Sequence, residues 1–417
     1  MRMLSCELKF VPGKIGNNPD SIKFRKFGAS QEDSMDMRKM LPLFLSAVAA
    51  VSGCSESAYS RIDRLCSGIF PEGEPGAAVL VMKGDKVVFE KGYGLADMAT
   101  GTRIDANTSF NIASVSKQFT AVAVLQLVEK GLVSLDDSLA KFFPEYRSDI
   151  WKRVRVKHLL SHSSGIPDAR SGYTREQRIQ GDENLALEYL DNLDTLRFEP
   201  GTAYEYINPT YVLLGRLVER VSGEEFTAYV RDHIFLPAGM ERTSYFDRDH
   251  QEAIPCMAHG YEYADVSDAP EERPASAGTG PKEWYEYDFG EETFFATRPD
   301  GGIYTSVREF VKWEMALRSG TVLGPELTEA AMTPVTKVSG SPWSDYQNRP
   351  NTWYGYGWFI EPGTGTSPRR IYHTGDNGGF KILAARYPEQ GVLVLVFSNR
   401  ADWDRYALML EIEKEVL

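Results

Sequence analysis

Ser114 and Lys117 stand three residues apart in the stretch NIASVSKQFTAVAVLQLVEKG, residues 111–131. On a helix such positions share a face, so a hydroxyl and an amine placed there can meet. From 118 to 128 the chain is apolar around most of a helical circumference, which describes a buried helix, and Gly131 supplies its stop. An amine at the root of a buried helix is desolvated, which favours its neutral form and lowers its pKa from ~10.4. A neutral amine beside a serine hydroxyl is a base beside a nucleophile. The helix N-terminus adds N–H donors where an oxyanion would develop. The competing reading makes Ser114 a helix cap and Lys117 a surface amine with a buried stem. On four residues alone that reading has the advantage.

Two further clusters change the balance. Tyr206-Ile207-Asn208 lies just ahead of a helical pattern in FEPGTAYEYINPTYVLLGRLVERVSG, and His373-Thr374-Gly375 leads into a strand pair in RIYHTGDNGGF. With these boxes in this order, the chain resembles the serine β-lactamase and penicillin-recognising family. The resemblance is strongest to the branch shared by class C β-lactamases, D,D-peptidases and related esterases. It extends to KHLLSHSSGIPD (157–168), PDGGIYTSVREF (299–310) and YGYGWFI (354–360), and spans nearly all of 76–399.

The resemblance implies roles for single residues. Ser114 matches the nucleophile that forms an acyl-enzyme, and Lys117 the amine that helps activate it. Tyr206 matches the tyrosine that shares the proton with that lysine; a phenol with a pKa near ~10 serves only when a nearby cation stabilises the phenolate, so the two would act as one unit. Asn208 matches the amide that orients substrate and lysine. The oxyanion hole would use the backbone N–H groups of Ser114 and Asp376. His373 departs from the β-lactamase pattern, which has lysine there. An imidazole of ordinary pKa ~6.5 is mostly neutral at pH 7, so efficient anchoring of a drug carboxylate is in doubt. Thr374 and Gly375 complete the substrate-binding edge, and Gly375 leaves it bare enough for an extended substrate to pair as an added strand. Either Arg369 or Arg370 could supply a replacement cation, although both read first as solvated loop charges.

His158 and His162, four apart, could pair on one helical face as metal ligands, but no zinc-protease glutamate accompanies them and they read as structural. The glycine loops GTGTSPRR and SAGTGPKEW lack phosphate-cradle spacing. Trp353, Tyr354, Tyr356 and Trp358 suit a pocket wall or the core equally. No metal and no organic cofactor is expected.

The elements that must position these groups come from both ends of the chain. GAAVLVMKGDKVVFEKGYG reads as a hairpin turning at Gly84-Asp85, and a second pair runs over 380–387 and 392–397 around a turn at 388–391. Between them, 185–190, 210–221, 226–234 and 309–319 carry helical spacing. The Pro-, Gly- and acid-rich stretch 265–290 reads as a long surface loop. The expected fold is α+β: an antiparallel sheet built from both chain ends and flanked by helices, with a mostly helical subdomain inserted over 135–300. The site would lie in the cleft between them.

The chain has 417 residues, 42% hydrophobic and 25% charged, and a formal charge of −13, which gives nucleic acid nothing to bind. The stretch MDMRKMLPLFLSAVAAVSGCSES supplies Arg38 and Lys39, a short apolar run over 41–51, and small residues before Cys54. This describes a secretory signal of lipoprotein type over 37–53, with Cys54 as the acylated residue and an exported, membrane-anchored product facing the periplasm. Residues 1–36 read as a leader outside the fold, 54–62 as a tether and 63–417 as the hydrolase domain. Cys66 and Cys256 are too few and too distant to make a disulfide framework.

The expected activity is covalent acyl transfer on a D-amino-acid peptide or small ester, ahead of β-lactams. A true class C-like β-lactamase is the first alternative. A non-catalytic receptor for peptides or cell-wall fragments is the second, opposed by three chemically intact boxes. A metallohydrolase built on His158 and His162 is the third.

Overall fold

Both ends of the chain meet in one antiparallel sheet, and Val- and Leu-rich runs are the reason. The computed structural model describes residues 57–417 except 147, 169–173, 175–182, 184–192, 247–253, 266–281, 289–297 and 340–350. The leader, the signal segment, Cys54 and the expected helix at 185–190 lie outside the described residues. Eight strands form the sheet: β1 (Ala77–Lys83), β2 (Lys86–Tyr93), β3 (Thr336–Lys337), β4 (Trp353–Tyr354), β5 (Phe359–Glu361), β6 (Arg370–Asn377), β7 (Phe380–Tyr387) and β8 (Val392–Ser398). Their spatial order is β3-β4-β5-β6-β7-β8-β1-β2. The two hairpins read from sequence join through β8 and β1, with Ala77 opposite Ser398 and Lys83 opposite Val392.

Every residue of β8 is buried, because both faces of the sheet are covered. Val392, Val394 and Val396 pack with Ile62, Cys66, Leu408 and Ile412 from α1 (Ala58–Ile69) and α5 (Arg405–Val416). Leu393, Leu395 and Phe397 face the other layer, which holds α2 (Lys117–Glu129), α3 (Asn208–Ser222) and α4 (Val307–Ser319). There the Phe397 ring packs edge-on to Phe310 at 5.6 Å and Phe110 at 6.3 Å. The helix α1 begins within the stretch expected as a tether. Ile62 and Cys66, four residues apart on one face, draw it onto the sheet.

The inserted region carries α3 and the short helices Ile150–Arg153, Val156–Leu160 and Phe226–Val230. It also contains strands. Ser244–Tyr245 joins Ile303–Thr305 and Phe110–Asn111 in a small sheet. The expected loop over 265–290 is corrected: Lys282–Glu286 pairs antiparallel with Tyr261–Asp265. Aromatic side chains drive the pairing, with Tyr263 and Trp284 directly opposite and their rings 5.0 Å apart.

Candidate active site

The nucleophile candidate sits on a strained turn. The strand Phe110–Asn111 ends where the Asn111 Oδ1 accepts the N–H of Ala113 at 2.8 Å. Ala113 adopts φ +46°, the left-handed region that a Cβ disfavours. A 3-10 turn over Ala113–Ser116 follows, and α2 starts only at Lys117. Ser114 therefore precedes the α-helix instead of lying in its first turn. With three residues per turn, positions i and i+3 eclipse, which aligns Ser114 with Lys117 more directly than an α-helix would. Lys117 Nζ lies 3.0 Å from Ser114 Oγ and 2.8 Å from the Asp300 carbonyl oxygen. Lys117 is fully buried, as are its neighbours along α2, whereas Ser114 is only partly buried. The hydroxyl can meet a substrate while the amine behind it is kept from water.

Tyr206 reaches this pair from the mouth of α3. His162 anchors the segment: its Nδ1 accepts the Ile207 N–H at 3.2 Å, and its carbonyl accepts the Glu205 N–H at 2.9 Å. The His162 ring packs 4.2 Å from the Tyr206 ring, and Lys117 Nζ lies 5.0 Å from the Tyr206 ring centroid, within cation–π range. Asn208 opens α3 ahead of Pro209, and its Oδ1 is buried with no hydrogen-bond partner among the described residues. A buried acceptor of this kind suits an incoming donor. His158 has its Nδ1 taken by the Arg155 N–H. Both histidines thus hold backbone, and burial lowers both pKa values, His158 to about 4.

The strand β6 closes the other side. β5 pairs with β6 only as far as Tyr372, so residues 373–377 keep an edge with no strand beside it among the described residues. A Cβ on Gly375 would fall 2.3 Å from the Ile112 carbonyl oxygen and 3.0 Å from the Ala113 Cβ. Only glycine permits this approach of β6 to the turn that bears Ser114. Thr374 is buried beside it, and Asp376 is exposed with its carboxylate 2.7 Å from Arg405 Nη2. Ser114 with Lys117, Tyr206 with Asn208, and the 373–376 edge thus come from three separate segments.

The β-lactamase family model matches residues 69–415. The chain belongs to the β-lactamase family. Penicillin-binding protein 4* of Bacillus subtilis (strain 168) is 26% identical over 79% of this chain and 69% of its own length. The octameric penicillin-binding protein homologue from Pyrococcus abyssi superimposes with a TM-score of 0.69 at 27% identity, covering 86% of this chain and 78% of that one. The D-amino acid amidase from Ochrobactrum anthropi SV3, at 21% identity, shares the fold with a TM-score of 0.65 over 86% of this chain and 97% of its own. The chain spans about two thirds of the length of its curated relatives, 69% and 64% for two of them. The β-lactamase-family members matched by this fold are serine hydrolases.

Within this β-lactamase-family frame, His373 is an uncharged group. It is fully buried, its Nε2 lies 2.9 Å from the Tyr354 hydroxyl and its Nδ1 lies 2.7 Å from the Thr374 carbonyl oxygen. Nδ1 therefore carries the proton and Nε2 accepts from Tyr354. Burial first, then the Lys117 and Arg405 charges, pull its pKa to about 3. Neither neighbouring arginine substitutes. Arg370, expected as a solvated loop charge, is buried in β6 and paired with Glu361 and Glu413. Arg369 is held by Glu329 and by the Met332 carbonyl.

Three contributors escaped sequence reasoning. The Asp300 carbonyl touches Lys117, and only the phrase PDGG hinted at it. Tyr354, equally a wall or core residue by sequence, is a buried partner of His373. Arg405 binds β6 from behind, and nothing in the local sequence signals it.

Proposed function

We propose that the protein is a serine hydrolase that opens an uncharged amide or ester by forming an acyl-enzyme on Ser114. The observation that carries this reading is the 3.0 Å contact between Ser114 Oγ and the Nζ of a fully buried lysine. At rest Nζ donates to Ser114 Oγ and to the Asp300 carbonyl oxygen; as a neutral amine, the form that burial favours, it would instead accept the Ser114 hydroxyl proton. Oγ would attack the carbonyl carbon as its proton passes to the Lys117–Tyr206 pair. The oxyanion would be met by the N–H groups of Ser114 and Asp376, and the proton returned to the departing amine or alcohol. Water would then repeat the sequence to free the acid and restore Ser114.

Small amides and esters of D-amino acids are the leading substrates, ahead of β-lactams. With His373 uncharged and Arg369 and Arg370 committed, none of these three supplies the fixed cation that a carboxylate-bearing drug requires. Labelling with a fluorescent phosphonate tests the reading, since wild type should be tagged and Ser114→Ala should not. A panel of p-nitrophenyl esters, D-Ala-D-Ala peptides and nitrocefin then ranks substrates; a profile led by nitrocefin overturns the preference. Lipid anchoring at Cys54 is proposed on the signal-like stretch 37–53. Fatty-acid incorporation that survives Cys54→Ala would refute it.

A further inference from the structure

Arg405 has no part in the acyl-transfer scheme, yet it grips the peptide group that the scheme depends on. It opens α5, where the Asp404 carboxylate caps the helix by accepting the N–H groups of Tyr406 and Ala407. Its guanidinium is buried behind β6. Nη1 donates to the Gly375 carbonyl oxygen at 2.8 Å and to the Ile382 carbonyl oxygen at 3.3 Å, and Nη2 donates to Asp376 Oδ2 at 2.7 Å.

Gly375 and Ile382 are cross-strand partners on β6 and β7, two residues along from the Asn377–Phe380 pair that closes the two-residue turn, so they form a hydrogen-bonded pair and the Gly375 carbonyl faces β7. The carbonyl of Gly375 and the N–H of Asp376 belong to one planar trans peptide group and point in opposite directions. The N–H consequently faces the open edge of β6, on the side of the Ser114 turn. A charge-assisted bond to the carbonyl draws electrons through the amide and leaves the N–H more positive. The same guanidinium balances the Asp376 carboxylate, which otherwise would set a negative charge beside the place where an oxyanion forms.

We propose that Arg405 is a positioning residue for acyl transfer, polarising the Gly375–Asp376 peptide so that its N–H serves as the stronger oxyanion donor, and neutralising Asp376 beside it. This rests on the acyl-transfer reading above.

The test traps an acyl-enzyme with a slowly hydrolysed aryl ester carrying a 13C-labelled carbonyl, and reads the ester carbonyl band by infrared difference spectroscopy. Turnover of a p-nitrophenyl ester is measured alongside. In Arg405→Met the band should move to higher frequency, because weaker donors polarise the carbonyl less. Its kcat should fall roughly 10-fold, less than the loss of a whole donor, with KM within about twofold of wild type. Arg405→Lys keeps a charged donor and should recover part of both changes. The band reports only folded, acylated protein, so a drop in yield leaves it readable. Should Arg405→Met fail to fold, the smaller shift in Arg405→Lys decides. A band unmoved from wild type in the folded variants overturns the inference while leaving the acyl-enzyme intact. A wild type that takes no label at Ser114 overturns the acyl-transfer reading, and this inference with it.

Discussion

Gly375 lies so close to Ile112 that a Cβ built on the glycine would fall 2.3 Å from the Ile112 carbonyl oxygen. The obstacle is backbone, which cannot swing aside, so relief must come from moving β6 or the Ser114 turn. Gly375→Ala should therefore lower stability by about 1–3 kcal/mol, as overpacking does. Ester turnover should fall further than stability alone accounts for, at least roughly 10-fold, because the oxyanion donors lose their spacing. Thermal unfolding and kcat measured on the same preparation check this; full activity in a correctly folded variant refutes it.

Lys117 occupies a fully buried position with Nζ between Ser114 Oγ and the Asp300 carbonyl. Lys117→Met keeps the length and removes the base. The rate of phosphonate labelling at Ser114 should drop by about 10²–10⁴-fold. The fold should persist, since an apolar chain of the same length fills the site without a polar head to desolvate. Stopped-flow labelling with circular dichroism distinguishes a lost base from a lost fold.

The parts of this site that were legible in the sequence are local. The Ser114–Lys117 spacing, the Tyr206-Ile207-Asn208 box and the two hairpins each lie within a few residues, where helix and strand periodicity act directly. What escaped was long-range or made of backbone. Arg370 reads as a loop charge beside Arg369, and its burial becomes intelligible only when Glu413 arrives from α5. The carbonyl of Asp300 has no side-chain signature. The strand at Lys282–Glu286 hid in an acidic, glycine-rich stretch because its two aromatics, Trp284 and Tyr285, are adjacent and point to opposite faces, so its sequence shows no apolar alternation.

Acid stability follows from three buried histidines. The pKa of His373 falls to about 3, that of His158 to about 4, and that of His162 lies well below its ordinary value, in each case chiefly through burial. Between these values and ~6.5 the unfolded chain binds protons that the folded chain refuses, so stability must decline as pH falls from ~6.5. His158→Asn, which can keep an acceptor for the Arg155 N–H, should flatten part of this slope. Urea unfolding at pH 7, 6, 5 and 4 measures it. A wild-type midpoint that is constant across that range contradicts the assignment.

His259 has the opposite sign. Its Nδ1 lies 2.8 Å from Asp288 Oδ2 and 3.5 Å from Glu286 Oε1, and the Asp288 bond raises its pKa to about 9. The folded state holds this proton more tightly than the unfolded state. The contribution is complete below ~6.5 and disappears as pH rises through about 9. The clasp matters locally, because Asp288 Oδ1 also accepts the Gly260 N–H, and Tyr287 accepts the N–H of Gly379 in the β6–β7 turn. His259→Gln should remove the alkaline part of the stability profile, measured by thermal unfolding between pH 7 and 10. An unchanged alkaline profile in the variant rules the clasp out as its source.

Substrate charge gives the sharpest discrimination. At the β6 edge His373 is uncharged throughout the neutral range, Arg370 is locked between Glu361 and Glu413, and Arg405 is bound to Asp376. A carboxylate placed along residues 373–376 would lose water without gaining a dedicated cation from His373, Arg370 or Arg405, whereas a neutral amide or ester gives up less hydration. Peptide amides and methyl esters should accordingly be cleaved with kcat/KM at least roughly 10-fold above the same compounds as free acids, about 1.4 kcal/mol of discrimination. His373→Lys restores a cation at the same register and should narrow that ratio, mainly through KM for the acids. Competition assays with matched pairs of D-Phe-containing esters and acids decide it. A wild-type preference for the free acid would place an anchoring cation where this edge has an imidazole, and would remove the electrostatic basis for ranking β-lactams last.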